Sequence, residues 1–287
     1  MTKSITADEF FLVAKKKYEI DDFQSVIKNC SKAIKINDRY SKAYGMRGLA
    51  KGRLKDYTNA IDDFSKAIEI NPKDARSFCN RGRARNELKD YEGAIDDYSK
   101  AIEIDPKDAI SYCNRGSTKN QIGWFSEAVN DFDKAIEINP KDEYAYYGRS
   151  TSFKHLRYYH EAISDADQAI QINQSYANAY SIRAGCKIYL KDYSGAISDY
   201  SKAIENKPRN ARAYFLRGYS KSVLKDYSGA ISDFSNAIKI NPNYAEAYNR
   251  RGLSKREIED RKGAYEDLKK AAELGSKEAA ELFKSYE

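Results

Sequence analysis

Residue types that commonly carry enzyme chemistry are scarce in this 287-residue sequence, which has two histidines, four cysteines and one tryptophan. His155 and His160 lie close together with no cysteine nearby in sequence, so neither a metal site nor a nucleophile–histidine pair is expected. The sequence also lacks a Gly-x-Gly-x-x-Gly segment and a phosphate loop. These absences predict that the protein is not an enzyme and that it uses no cofactor and no metal.

Long apolar runs are missing as well. The N-terminal region has only the run at residues 10–14, which is too short for the core of a signal peptide and far too short for a membrane span. We therefore expect a cytoplasmic protein that has no membrane partner and whose cysteines are reduced.

The charge is high but mixed. Charged residues make up 32% of the chain and hydrophobic residues 41%, a combination that suits an elongated helical array with much surface. The net charge is +7, yet acidic and basic residues are interspersed and the longest basic run covers residues 15–17. Charge alone therefore gives little support for nucleic-acid binding.

The most prominent feature of the sequence is repetition. The segment AIDDYSKAIEIDPKDAISYCNRG at residues 94–116 closely matches AIDDFSKAIEINPKDARSFCNRG, which stands 34 residues earlier. A unit repeated at a fixed period usually cannot bury its own apolar face and stacks on copies of itself. The chain divides without insertion into eight units, at residues 7–40, 41–74, 75–108, 109–142, 143–176, 177–210, 211–244 and 245–278.

Each unit has the pattern of two helices. Within residues 41–74, small and apolar residues recur at helical spacing on both sides of a turn at residues 55–56. All five prolines fall in one column near the end of a unit, where we expect them to occupy the first turn of the next helix. They are Pro72, Pro106, Pro140, Pro208 and Pro242.

These motifs resemble a known repeat. Tyr44-x2-Arg47-Gly48-x2-Lys51, followed by Ala60-x3-Phe64-x2-Ala67 and Pro72, resembles the tetratricopeptide repeat of bacterial tandem-repeat proteins. The usual tryptophan is Tyr or Phe here, the usual leucine is Arg, and the usual tyrosine is mostly Lys. The resemblance covers residues 7–278, nearly the whole chain.

The resemblance implies an all-α fold, a right-handed superhelix that forms one domain over residues 1–287. It also implies that the first helix of each repeat lines a concave groove. Residues 279–287, in which Leu282 and Tyr286 are four apart, are expected to form a short helix that covers the apolar face of the last repeat.

Columns that agree between the eight repeats predict packing. The position of Ala67 is alanine in every repeat, as expected where helices approach closely. The position of Arg47 is arginine and that of Asp63 is aspartate in repeats 2–8, whereas repeat 1 has Val13 and Asn29. Because the turn between the helices is about equidistant from the two columns, we predict a repeated arginine–carboxylate bridge rather than an arginine ladder for phosphates.

Columns that vary predict the binding surface. On the first helices they form one stripe, which the resemblance places in the groove. The stripe is polar, amide-rich and basic in repeats 3 and 4, with Arg76, Asn80, Arg83 and Asn114, and Lys42 lies just upstream. It becomes aromatic in repeats 5–7, with Tyr144, Tyr147, Tyr189, Phe215 and Tyr219. Spaced amides suit a peptide backbone, and aromatic rings that face solvent commonly anchor interfaces, although the rings could instead pack on one another.

Two further features concern specificity. Members of the family that bind peptide tails grip a terminal carboxylate with a lysine and two asparagines; Asn80 and Asn114 fit this pattern, but the lysine is missing here. Trp124 and Tyr158 stand at the turn between the two helices of their repeats and form a candidate second contact site, or pack on each other.

We therefore predict a non-enzymatic scaffold that binds a peptide or protein segment in its groove. The expected ligand carries acidic groups near the basic half and apolar groups near the aromatic half. The alternative is a helical-repeat protein that binds single-stranded RNA through stacked aromatic and basic residues, although nucleic acid is not the partner we expect. A self-assembling structural protein is a third hypothesis; we expect a monomer.

Overall fold

The computed structural model describes residues 6–284, and the surroundings of their side chains as far as residue 282. The described residues form helices, turns and loops, with no strand among them. The chain divides into two compact units, unit 1 at residues 1–140 and unit 2 at residues 141–287. Organisation of all eight repeats as one domain stays a prediction.

Each predicted repeat is a pair of helices. Unit 1 contains α1 (Ala7–Glu19), α2 (Phe23–Ile36), α3 (Ser41–Arg53), α4 (Tyr57–Ile70), α5 (Ala75–Glu87), α6 (Tyr91–Ile104), α7 (Ala109–Gln121) and α8 (Phe125–Ile138). Unit 2 contains α9 (Glu143–His155), α10 (Tyr159–Ile172), α11 (Ala177–Tyr189), α12 (Tyr193–Asn206), α13 (Ala211–Val223), α14 (Tyr227–Ile240), α15 (Ala245–Glu257), α16 (Arg261–Glu273) and α17 (Lys277–Lys284). The first sixteen helices therefore fall two by two within the eight predicted repeats, whose exact boundaries stay a prediction.

The packing within each unit is that of a tetratricopeptide-repeat solenoid. Every helix packs on the next helix of its unit. The first helices of successive repeats also contact one another, as α3 does with α5 in unit 1 and α11 does with α13 in unit 2. Second helices do not approach one another as closely, so the first helices lie on the inner side of each stack.

Small residues on the first helices make room for rings on the second. A Cβ atom added to Gly48 would lie 2.9 Å from Cε1 of Phe64, closer than side-chain atoms pack in proteins. Repeat 5 has the larger Ser150 at this position, opposite the smaller Ala166, and both residues are fully buried. The Ser150 hydroxyl donates a hydrogen bond to the carbonyl of Ala162 at 2.6 Å. The buried hydroxyl that replaces the glycine therefore has a hydrogen-bond partner.

The predicted arginine–aspartate bridge is present in all seven repeats that carry the two residues. In repeat 3, Nε and Nη2 of Arg81 donate to the two carboxylate oxygens of Asp97 at 2.9 and 2.7 Å. Asp97 is buried, and the guanidinium also lies over the ring of Phe78, three residues before it. The other pairs are Arg47–Asp63, Arg115–Asp131, Arg149–Asp165, Arg183–Asp199, Arg217–Asp233 and Arg251–Asp267.

A second cation joins most of these bridges, which the sequence analysis did not predict. Lys51 Nζ lies 2.7 Å from the carboxylate of Asp63, and its counterpart Arg85 reaches Asp97 at 2.9 Å. Repeat 5 has Phe153 at this position, and its ring lies under the guanidinium of Arg149. The aspartates are therefore buried anions that are held by one or two cations each.

The turns follow a regular pattern, which corrects one expectation. Within a repeat the turn contains a residue with positive φ, such as Lys89 at 63°, and Gly123 serves the same role at 84°. Between repeats, Pro72 lies ahead of α5, in a turn that is closed by a hydrogen bond from the Asp74 amide to the Asn71 carbonyl. The proline thus takes the second position of a β-turn, where its fixed φ is favourable, and not the first turn of the next helix.

The C-terminal helix α17 covers the last repeat. Leu282 packs against a buried cluster that contains Leu268, Ala271 and Ala279. A short C-terminal helix is therefore present, as predicted, and the structure describes it from Lys277 to Lys284. Tyr286, which was expected to contribute to it, lies outside the described residues.

Candidate functional site

Unit 1 has an open cavity of about 710 Å³ on its first helices, which we call the α1–α5 cavity. Side chains of α1, α3 and α5 line it, and Lys42, Arg76 and Asn80 are among them. Lys42 and Arg76 are exposed, and Asn80 is half-buried. Asp8 and Asp74 also line the cavity, so its charge is mixed.

A second cavity of unit 1, of about 530 Å³, adjoins the first at Asn80. Arg83 lines this cavity together with Tyr57 and Glu87. Burial and the neighbouring Glu87 raise the pKa of Tyr57, and Arg83 opposes this. The structure therefore brings four of the five predicted basic and amide residues to two adjoining cavities.

Asn114, the fifth of these residues, has a different position. Its side-chain amide donates to Sγ of Cys79 at 3.6 Å, between successive first helices. Burial raises the pKa of the Cys79 thiol, and the bond from Asn114 partly opposes this. The NH₂ group of Asn114 therefore contributes to the packing between repeats 3 and 4.

Unit 2 has an open cavity of about 360 Å³, which we call the unit 2 cavity. It is lined by side chains of α9, α11 and α13, the first helices of three consecutive repeats. Tyr147 and Tyr189 line it, as predicted, together with Ile182, Ile188 and Leu216.

The predicted aromatic residues of unit 2 pack against other rings and still leave exposed surface. Tyr144 and Tyr147 each contact Tyr176 edge to face, with ring centroids 5.5 and 5.3 Å apart. Tyr189 stacks on Tyr159 at 4.8 Å. Tyr144 and Tyr189 nevertheless remain 64% and 62% exposed, so one side of each ring is open to a ligand.

Two predicted aromatic residues lie further along unit 2. Tyr219 is half-buried, with the guanidinium of Arg250 5.7 Å from its ring centroid. Phe215 is only 5% exposed and packs on Phe234 and Tyr244. The expectation that Phe215 faces solvent is wrong, because its position on α13 is turned towards α14 and the turn before α15.

Two cations of the unit 2 cavity were missed by the sequence analysis. Lys154 on α9 and Arg212 at the start of α13 both line it. Burial lowers the pKa of Lys154, and the nearby charge of Arg212 lowers it further. His155 also lines the cavity, and its pKa is lowered by burial and by Lys154. Lys154 stands where most other repeats carry an uncharged residue, such as Gly52, Asn86 or Ile188, and where repeat 8 has Arg256, so the column gave only a weak signal.

The two aromatic residues of the candidate second site are exposed, as predicted. Trp124 precedes α8 in unit 1 and is 48% exposed. Tyr158 precedes α10 in unit 2, is 55% exposed and contacts Phe153 edge to face. Their use as a contact site stays a prediction.

The described residues contain neither a metal-binding cluster nor a helix that could span a membrane. Between residues 6 and 284, no group of three or more His, Cys, Asp or Glu side chains has an arrangement that could hold a metal ion. Each helix in the same range is too short or too polar to cross a bilayer.

Comparison with known families finds the repeat directly. Profiles described as tetratricopeptide repeat match residues 41–74, 64–96 and 109–142, and a profile described as TPR repeat matches residues 82–123 and 224–255. The comparison with curated proteins found no match.

Solved structures of similar fold include several repeat proteins. A tetratricopeptide repeat protein from Parabacteroides merdae matches with a TM-score of 0.65 and 22% identity, over 86% of this chain and 98% of the other. YrrB matches with a TM-score of 0.54 and 24% identity, over 64% of this chain and 95% of the other. PilF of Pseudomonas aeruginosa matches with a TM-score of 0.65 and 18% identity, over 78% of this chain and 98% of the other. At these identities the likeness shows the fold.

Proposed function

Because the chain belongs to the tetratricopeptide-repeat family, we propose that it is a scaffold that binds a segment of another protein along the first helices of its repeats. The observation that carries this proposal is the position of the cavities. Each lies mainly on the first helices of three consecutive repeats, and together they contain six of the ten residues predicted from the sequence. A surface that continues over three repeats suits an extended or helical segment better than a compact small molecule.

The chemistry of the two units supports different contributions to binding. In unit 1, Arg76 and Arg83 are exposed beside Asn80, so they favour a segment with acidic groups and a hydrogen-bonding backbone. In unit 2, Tyr147, Tyr189 and Tyr219 offer ring surface for apolar side chains. Buried aromatic anchors usually carry most of the affinity of an interface, whereas cations at a hydrated rim mainly speed association.

A relative of similar fold supports a peptide ligand. The YrrB structure is described as that of a TPR protein with an unusual peptide-binding site. Binding of a peptide by the present chain is our proposal, and it rests on the cavities and side chains described above.

The proposal is tested with the partner that the protein captures in its native source after crosslinking. Isothermal titration calorimetry then compares the parent with the double variant Tyr147→Ala/Tyr219→Ala and with Arg83→Ala. We expect the double variant to lose nearly all affinity, since each anchor contributes about 2 kcal/mol or more. Arg83→Ala is expected to weaken binding modestly and to reduce its salt dependence.

The matched control is Tyr158→Ala, which removes an exposed tyrosine of unit 2 outside the first helices. This variant is expected to bind as well as the parent. Loss of binding in Tyr158→Ala, with full binding by the Tyr147→Ala/Tyr219→Ala variant, would assign the contact to the turns and contradict the proposal.

A further inference from the structure

We propose that the unit 2 cavity binds an oxyanion, the carboxylate or phosphate group of an acidic residue in the captured segment, between Lys154 and Arg212. The inference rests on the proposed function, because the acidic residue belongs to the bound segment. It adds a charged contact to a region that the sequence predicted to be aromatic and apolar.

The unit 2 cavity contains uncompensated positive charge. Several half-buried cations of the first helices have carboxylate partners, as Arg183 and Lys187 have in Asp199, whereas Arg250 lies over the ring of Tyr219. The side chains of Lys154, which is half-buried, and of Arg212, which is exposed, have neither an ion pair nor a hydrogen bond within the described residues, and no Asp or Glu lines the cavity. Two cations that share a cavity without an anion create a positive potential that an anionic ligand would neutralise.

Lys154 lies at the wall of the cavity, over a glycine. The side chain is half-buried, and a Cβ atom added to Gly185 would lie 3.6 Å from its Nζ. The ammonium therefore lies over Gly185, at a position where other repeats carry larger residues such as Leu49, Arg83 and Tyr219. The missing side chain at residue 185 therefore leaves room for the Lys154 ammonium at the wall of the cavity.

Neutral hydrogen-bond donors also line the cavity. Asn178 and Asn210 line the cavity, and the side-chain oxygen of Asn210 accepts a hydrogen bond from the Ala213 amide. That bond leaves the NH₂ group of Asn210 available as a donor. The N-terminal end of α13, which carries partial positive charge, contributes Arg212 and Ala213 to the same wall.

The remaining walls indicate what stands beside the acidic group. Tyr147, Tyr189, Ile182, Ile188 and Leu216 provide aromatic and aliphatic surface. The volume of about 360 Å³ is at the low end of ligand cavities, so it suits one or two side chains. An acidic residue next to an apolar residue in the same segment matches both the charge and the surface.

Filling the space over Gly185 does not require a charged side chain at residue 154. The equivalent position holds Asn86, Asn120 and Ile188 in other repeats and a cation, Arg256, in repeat 8, so the fold forms with or without a cation there. Burial lowers the pKa of Lys154, so placing the charged form in the cavity is unfavourable for folding. A charge that opposes folding and has no partner in the chain is typical of a binding residue.

The experiment uses the full chain, labelled with ¹⁵N, and four probes in NMR titrations at low salt. Three are the blocked tripeptides acetyl-Leu-Glu-Tyr-amide, its Gln analogue and its phosphoserine analogue; the fourth is inorganic phosphate. We expect the Glu or the phosphoserine peptide to bind at least about tenfold more tightly than the Gln peptide, with shifts at Gly185 and Arg212. Inorganic phosphate is expected to bind more weakly than the phosphoserine peptide because it lacks the apolar contacts.

Variants assign the contact to its residues. Lys154→Asn introduces the residue that repeats 3 and 4 have at this position. We expect it to reduce the affinity for the acidic peptide about tenfold and to leave the affinity for the Gln peptide unchanged. Gly185→Leu copies repeat 2 and is expected to block the cavity without a change of charge. Arg209→Gln removes an exposed cation outside the cavity, so it controls for net charge and is expected to have no effect.

The inference is overturned if no acidic peptide binds, if Glu and Gln peptides bind equally, or if Arg209→Gln weakens binding as much as Lys154→Asn. Equal affinity of inorganic phosphate and the phosphoserine peptide overturns the assignment to a peptide group. These outcomes are distinct from failure of the proposed function, which is measured by loss of the native partner in the tyrosine double variant.

Discussion

Removal of one buried carboxylate is the sharpest test of how the repeats are held together. Asp97 is 2% exposed and accepts hydrogen bonds from Nε and Nη2 of Arg81 and from Nη1 of Arg85, at 2.9, 2.7 and 2.9 Å. In Asp97→Ala, two guanidinium groups lose the anion that they share. Because an unpaired charge in a buried site is costly, we expect a loss of about 3–5 kcal/mol in the stability of repeat 3.

The first repeat supplies a natural template for the control. It has Val13 and Asn29 at the positions of Arg81 and Asp97. The double variant Arg81→Val/Asp97→Asn therefore replaces the pair by one that the fold already accepts. We expect it to be more stable than Asp97→Ala, with a coupling energy between the two positions of at least about 2 kcal/mol.

The assay must resolve single repeats. The stability of a repeat protein is approximately a sum of repeat and interface contributions, so its unfolding by denaturant is not all-or-none. Native-state hydrogen exchange at the backbone amides of α5 and α6 measures the local opening free energy directly. If the double variant loses as much opening free energy as Arg81→Val and Asp97→Asn lose together when each is measured alone, the two residues do not act as a pair and the reasoning is wrong.

Three further predictions follow from backbone and burial. Gly52→Ala is expected to stabilise its repeat by about 0.5 kcal/mol because there is open space around Gly52. Gly123→Ala is expected to destabilise its repeat by about 1 kcal/mol because the φ of Gly123 is +84°. Native-state hydrogen exchange at the amides of the two repeats measures both changes. Amides of residues 143–176 are expected to exchange faster than those of 177–210, since the buried Ala166 replaces a large ring, and equal protection would refute this. Lys154→Asn is expected to raise stability at pH 7 by about 0.5–2 kcal/mol, measured by thermal unfolding. The gain in stability should shrink as the pH rises from the lowered pKa of Lys154 in the folded protein to its ordinary pKa of 10.5, because the neutral amine has no desolvation cost. A gain in stability that does not change with pH would contradict this cause.

Much of the fold could be predicted because the chain contains eight copies of one environment. Columns such as that of Ala67 report packing in the way that an alignment does, and the joint absence of arginine and aspartate at Val13 and Asn29 indicated their pairing. The lysine that completes most bridges was missed because its column is not strict, with Arg85 and Phe153 among its members. Location in the cytoplasm and a monomeric state stay predictions.

The candidate site could be predicted only in part, because a helical period gives the face of a residue but not its depth. Phe215 lies on the predicted stripe, yet Phe234 and Tyr244 cover it. Lys154 and Arg212 come from repeats that are not adjacent in sequence, so no periodic pattern relates them. Their shared cavity depends on how α9, α11 and α13 pack, which the sequence does not state.

Site-specific photo-crosslinking tests the central claim, that partners bind along the first helices, most directly. A photoreactive phenylalanine is placed at Arg76 or Tyr147 on first helices and, as controls, at the exposed Lys100 or Lys202 on second helices. After irradiation in the native source, we expect a protein partner to be attached at Arg76 and Tyr147 and not at the two lysine positions. Attachment only from Lys100 or Lys202, or attachment of RNA in place of protein at Arg76 and Tyr147, would contradict the account.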